Sequence, residues 1–191
     1  GLPKQDGIVR QQCEIGIVDI DISRNVPAFV APPTVVEPLP EESLCAIVGA
    51  LEIDAKSIVG TAKLDNGPEW QVLELASAAD VLAVDSSKVR WPAFKAIGLI
   101  GAHPEGSECD YEVRMLAPSS GMSEDPITGS LNAAIARWMV DDGRLKSEIV
   151  VAQGTKIDRH GRIFIRPGVG DDDRILIGGQ TQILIEGTVA L

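Results

Sequence analysis

The stretch "SEDPITGSLNAAIARWM", residues 123–139, sets two acids, a proline and a Thr-Gly-Ser turn directly before an apolar helix. Leu131, Ala134, Ile135, Trp138 and Met139 recur at helical spacing, and Ala133 and Ala136 leave little polar surface elsewhere. A helix that is apolar nearly all round belongs inside something. With strand-like segments on both sides of it, the pattern predicts a helix wrapped by a curved sheet. The first backbone N–H groups of such a helix need partners. Asp125 or Ser130 can cap them, which is a purely structural reading. Alternatively, Gly129 and Ser130 offer those groups to a carboxylate or phosphate, with Gly129 permitting close approach and Pro126 stiffening the turn. Spacing alone leaves both readings open.

Outward from this helix the chain reads as short strands. "GIVRQQCEIGIVDIDI" predicts two of them, and "NVPAFVAPPTVVEPLP", with Pro27, Pro32, Pro33, Pro38 and Pro40, predicts a linker without regular structure. "PEESLCAIVGAL" predicts a helix, with acids in its first turn and Leu44, Ile47, Val48 and Leu51 at helical spacing. "DAKSIVGTAKL" predicts a helical turn and then a strand, "EWQVLELAS" a strand, and "SAADVLAVDSS" a short helix. "AIGLIGAH" and "CDYEVRMLAP" bracket a hairpin turn at "PEGSE". "SEIVVAQG", "GRIFIRPG", "DRILIGG" and "QTQILIEG" are further β-rich runs punctuated by glycine, as in a rolled sheet. The charge run "GDDDR" is read as a solvated hairpin loop in preference to a metal site.

Composition narrows the classes of function. The chain has 191 residues, 45% hydrophobic, enough for one large domain or two small ones. A formal net charge of -11 speaks against nucleic acid as a partner, because phosphate binding needs a cationic field. No apolar run has the length of a membrane span. Cys13, Cys45 and Cys109 are odd in number and scattered, so neither a disulfide framework nor a zinc site is expected, and a cytoplasmic location is.

"EDPITGSLNAAIARWM" resembles the EDPxTGS motif of the PhzF-like proteins, the phenazine-biosynthesis branch of the diaminopimelate-epimerase-like fold. "EVRMLAPSSGMSEDP" is similar to the family's arginine, Ala-Pro and glycine approach to that motif. "VVAQGTKIDRHGRIFI" resembles the strand that follows, with its Gln-Gly, and "ILIGGQTQILIEGTV" resembles the closing hairpin. "GIVRQQCEIGIVDIDI" is similar to the strand pair ending the family's first domain. The resemblance covers nearly the whole chain. It implies an α+β fold, a diaminopimelate-epimerase-like lobe in which a mixed β-sheet curls around a central α-helix. Residues 1–30 would be the final strands of an N-terminal lobe and residues 31–191 the C-terminal lobe. The activity implied is that of an isomerase moving a proton at carbon next to a carboxylate, without cofactor or metal. Asp125 would be the catalytic residue lining the cleft and helping to position the substrate, and Thr128, Gly129 and Ser130 would hold the carboxylate of a small substrate.

Two departures qualify these expectations. The family's principal acid/base glutamate and a cleft histidine belong to the first lobe, ahead of the stretch matching residue 7, so an N-terminal lobe on another chain, or a second copy of this one, is expected to complete the site. After Gln153-Gly154, where relatives often carry Met-Gly-Arg-Pro-Ser, this chain has "IDRHGR", which keeps Arg159 but substitutes Asp158 and His160. His160 and His103 both read as loop residues. On this basis residues 7 to 22 are expected to pair with another chain or fray. The rival expectation is a non-catalytic half-fold that homodimerises as a binding or assembly module; a phosphate-ligand binder using the same helix end is a third.

Overall fold

Proline shapes the first forty residues without abolishing their structure. The computed structural model describes residues 6–87, 96–117, 122–168, 170 and 172–189. Strands β1 (Ile8–Cys13) and β2 (Gly16–Asp21) form an antiparallel hairpin. The stretch expected to be an irregular linker contains two three-residue strands, β3 (Ala28–Val30) and β4 (Val35–Glu37). Pro27, Pro32, Pro33 and Pro38 lie just outside these strands, where the missing N–H removes no ladder bond.

The segments that follow take up the elements read from their patterns. They are helix α1 (Glu41–Leu51), strands β5 (Ile58–Asp65) and β6 (Glu69–Leu75), helix α2 (Ala78–Ala83), and the hairpin of β7 (Ile97–Ala102) and β8 (Tyr111–Ala117). Then come β9 (Met122–Asp125), helix α3 (Gly129–Asp141), β10 (Ile149–Gln153), β11 (Gly161–Pro167) and β12 (Ile175–Gly179). Pro118 to Gly121, part of the approach noted above, lie outside the described residues.

All twelve strands join one mixed sheet in the order β1-β2-β3-β12-β11-β10-β8-β7-β6-β5-β4, with β9 added alongside β8. The pairs β6·β7 and β8·β10 are parallel, and the other pairs are antiparallel. Helices are few and sheet predominates. Strand alternation sends apolar residues to both faces. Val72, Ile100, Val113, Met115, Val151, Ile163 and Ile177 pack with Leu131, Ile135, Trp138 and Met139 of α3. On the opposite face, Leu73, Leu75, Leu99 and Leu116 pack with Ile47 and Leu51 of α1 and Val81 of α2. Helix α3 touches β5 as well as β11 and β12. Those strands lie six places apart in the sheet order, roughly 29 Å if flat at about 4.8 Å per step, whereas a helix is only about 10–12 Å across. The sheet therefore curves over α3. No helix among the described residues is long and apolar enough to cross a membrane.

Two strand readings are corrected by the fold. Residues 7 to 22 pair within the chain: β2 ladders onto β3, which ladders onto β12. No residue of β1 or β2 enters either apolar cluster among the described residues. "QTQILIEG" is not a strand, and Ile183, Leu184, Ile185 and Val189 are between 82% and 91% exposed. The reason lies in β12, whose two edges are already taken by β3 and β11, so the run after it cannot ladder back.

Candidate active site

The entry to α3 is held by one side chain from a distant strand. Gln153, the last residue of β10, is fully buried. Its Nε2 donates to the Asp125 carbonyl at 3.0 Å and to Thr128 Oγ1 at 2.9 Å. Its Oε1 accepts from the Thr128 N–H at 3.2 Å and from Asn132 Nδ2 at 2.8 Å. Both ends of the amide are thus satisfied within a buried setting, where an unmade hydrogen bond is costly.

This network bears on the capping alternative left open by spacing. Thr128 is the N-cap residue, but its side chain makes no capping bond. Its hydroxyl instead donates to Asp125 Oδ2 at 2.5 Å while accepting from Gln153. Among the described residues no side chain caps the N–H of Gly129 or Ser130. The first N–H groups of this thirteen-residue helix thus have no side-chain acceptor among the described residues. Asn66, in the turn after β5, holds the same first turn from the other side: its Nδ2 donates to the Ser130 carbonyl at 2.8 Å, and its Oδ1 accepts from Trp70 Nε1 at 3.1 Å.

Glycine matters here for approach. A Cβ on Gly129 would meet only the Phe29 ring, at 3.4 Å, an ordinary contact, so packing within the chain does not demand glycine there. Gly154 is different: its φ is +88°, and a Cβ would stand 2.8 Å from the Pro126 carbonyl. A Cβ on Gly161 would stand 2.6 Å from Ile127 Cγ1. These two glycines let the 126–127 bend press against the turn between β10 and β11.

Asp125, Thr128, Gly129 and Ser130 are thus brought together at one helix end, with Phe29 beside them. Sequence reasoning missed Gln153, Asn66, Asn132 and Phe29 as members of this constellation. The available signals were the Gln-Gly pair and an asparagine one turn into an otherwise apolar helix. The histidines stand elsewhere. His160 is exposed; His103 lies outside the strands, as read, but its Nε2 is 3.2 Å from Oε2 of the buried Glu112. Cys109 is buried, and desolvation pushes its thiol above the usual range, which leaves it a poor nucleophile. In the "GDDDR" loop, Asp172 is bonded by Arg174, and Asp173 accepts from Arg137 of α3 at 2.8 Å; Asp171 lies outside the described residues.

Comparison with known proteins identifies the family. The family model for phenazine biosynthesis-like proteins matches residues 2–187. The chain is 25% identical over 206 residues to antisense-enhancing sequence 1 of Schizosaccharomyces pombe, covering 97% of this chain and 67% of that protein. It is 25% identical over 173 residues to the uncharacterized isomerase YddE of Salmonella typhimurium, covering 83% of this chain and 58% of that protein. This chain therefore spans about three fifths to two thirds of the length of these relatives. Among solved structures, a PhzF-family phenazine biosynthesis protein of Bacillus anthracis superposes with a TM-score of 0.69 at 15% identity, over 92% of this chain and 66% of that one. A predicted epimerase of Pseudomonas aeruginosa gives 0.64 at 17% identity, over 96% and 69%. At such identities the structural likeness concerns the fold.

Proposed function

The chain belongs to the phenazine biosynthesis-like family, and on that premise we propose that it is an isomerase-type enzyme moving a proton at carbon next to a substrate carboxylate, without a cofactor. The observation that carries this reading is the uncapped N-terminus of α3. The N–H groups of Gly129 and Ser130, with Thr128 at the N-cap, hold the carboxylate. Removing a proton from the neighbouring carbon leaves negative charge on the carboxylate oxygens, where oriented N–H donors stabilise it most. Asp125 faces the same space, its Oδ2 anchored by the Thr128 hydroxyl, and is the acid/base or positioning group of this wall. The lobe is read as diaminopimelate-epimerase-like with α3 as its central helix, residues 1–30 ending one lobe and residues 31–191 forming the other.

Calorimetry with benzoate tests this, since a flat carboxylate suits a helix end beside the Phe29 ring. Wild type should bind, Gly129→Val should lose most of the affinity because a branched side chain fills the ligand's place, and Asp125→Ala should fold normally while altering binding. Equal affinity of wild type and Gly129→Val would end the reading.

A second reading, a half-fold assembly module, is favoured by one observation: the exposed apolar run at residues 183–185. In it, a second copy pairs with that run. Light scattering on the chain with and without residues 181–189 distinguishes the two. A homodimer that becomes a monomer on truncation, with no benzoate binding, would favour the module.

A further inference from the structure

We propose that Arg114 and Glu124 are positioning residues for Asp125: a buried ion pair, on the face of the sheet opposite α3, that sets where β9 delivers the Asp125 carboxylate. Arg114 is 1% exposed and Glu124 is 6% exposed. Arg114 Nε and Nη2 donate to Glu124 Oε2 at 3.0 and 2.7 Å, and Nη1 donates to the carbonyls of Val81 and Val84 at 3.0 and 2.7 Å. Those carbonyls belong to the C-terminal end of α2, where backbone acceptors lack helical partners and a cation is favoured. One guanidinium therefore joins three elements: β8, β9 and α2.

The register shows what this joining governs. Asp125 pairs with Met115 and Glu124 with Leu116, and the ladder is irregular between Leu116 and Ala117. Neighbouring residues of a strand point to opposite faces. Met115 packs with α3 and Leu116 with α1 and α2, so Asp125 faces the helix end while Glu124 faces away from it. β9 has only four residues, and β8 is its sole ladder partner among the described strands. A strand so short and irregularly laddered gains its lateral position from a side-chain peg, and Glu124 is that peg. Gln153 fixes the Asp125 carbonyl from the α3 side, so the residue is clamped from both faces.

Stability alone does not explain such a pair. A buried ion pair is commonly neutral or unfavourable relative to apolar residues of similar size, whereas removal of one partner strands a buried charge. The test therefore replaces both, as Arg114→Met/Glu124→Leu in the whole chain. The double variant should unfold at a urea midpoint close to wild type and keep slow amide exchange in α3. Exchange at Glu124 and Asp125 should nevertheless rise at least tenfold, and the amide resonances of Asp125, Thr128 and Gly129 should move. Benzoate affinity, which rests on the functional reading above, should fall about tenfold. A folded double variant whose β9 exchange and site resonances match wild type overturns the proposal. So does a loosened β9 with undiminished benzoate affinity. Failure of wild type to bind benzoate would count against the functional reading only, and the exchange at β9 would still decide this one. Should the double variant fail to fold, Glu124→Gln, which keeps the shape and an acceptor for Arg114, carries the same exchange measurement.

Discussion

Helix α3 and the run at residues 181–189 look alike as sequence, each an apolar segment that ought to be covered, yet one is mostly buried and the other is bare. Eight of the thirteen residues of α3 are buried. In the other run, Ile183, Leu184 and Ile185 stand in the open. Apolar character sets what a segment gains by burial; whether it is buried depends on a surface being available. For α3 the curving sheet supplies one on several sides. The run after β12 meets no free edge there, because β3 and β11 already flank that strand.

The sharpest way to break this comparison is mutation on both sides. Trp138→Ala, which empties a site in the main core, should cost about 3–5 kcal/mol. Changing Ile183, Leu184 and Ile185 together to serine should leave urea unfolding of the monomer unaltered. If the triple variant is destabilised as much as Trp138→Ala, the run is buried in solution and the contrast is false. A smaller effect concerns the polar entry to α3. Gln153→Ala leaves the Thr128 N–H without its acceptor and removes one of the two acceptors of Asn132 Nδ2, the other being the Thr128 carbonyl, which should lower stability by about 1–3 kcal/mol. A melting temperature equal to wild type would mean that the network is incidental.

Hydrogen exchange then refines the boundary. Amides of Ala134 to Trp138 should exchange only through global opening, and those of residues 181–189 should exchange at once. Rapid exchange within α3 would discard the buried-helix account.

The smallest expected effect is in the β1–β2 hairpin. Asp21 is held below the usual carboxylate range, first by the Ser23 hydroxyl, then by the Ser23 N–H, with Arg166 of β11 adding to it at 2.9 Å. A depressed folded-state value means that this stabilisation is complete above the unfolded value, about pH 4, and is lost as pH falls through the lower folded one. Acidification from pH 5 to pH 3 should therefore lower the protection of the Ile20 and Ile22 amides, measured against intrinsic exchange at each pH, before it touches α3. Unchanged protection would show that Asp21 does not fasten the hairpin.

These contrasts mark what was legible beforehand. The buried helix could be read because its apolar residues run all round it, and most strands because their alternation is local. β3 and β4 could not, since three residues between prolines carry no periodicity, and only pairing with β12 and β5 defines them. The acidic and glycine residues at the α3 entry were recognisable as a group, whereas the choice between cap and ligand site was not. Capping by Asp125 turns on where its carboxylate goes, and its Oδ2 accepts from the Thr128 hydroxyl, which Gln153, a side chain from another strand, holds in place. The Arg114–Glu124 pair was likewise unreadable, because it joins three elements, β8, β9 and α2.

The ladder between β3 and β12 also carries a consequence for the order of assembly. Phe29, the ring beside Gly129, sits opposite Ile177 in that ladder. Roughly 150 residues must leave the ribosome between the two, about 8 to 30 s at ordinary rates of synthesis. Until then the first three strands have no sheet to join, and such distant pairings are slow to close. The contact of the Phe29 ring with the α3 entry is consequently among the last features to form, together with the packing of β12 against α3.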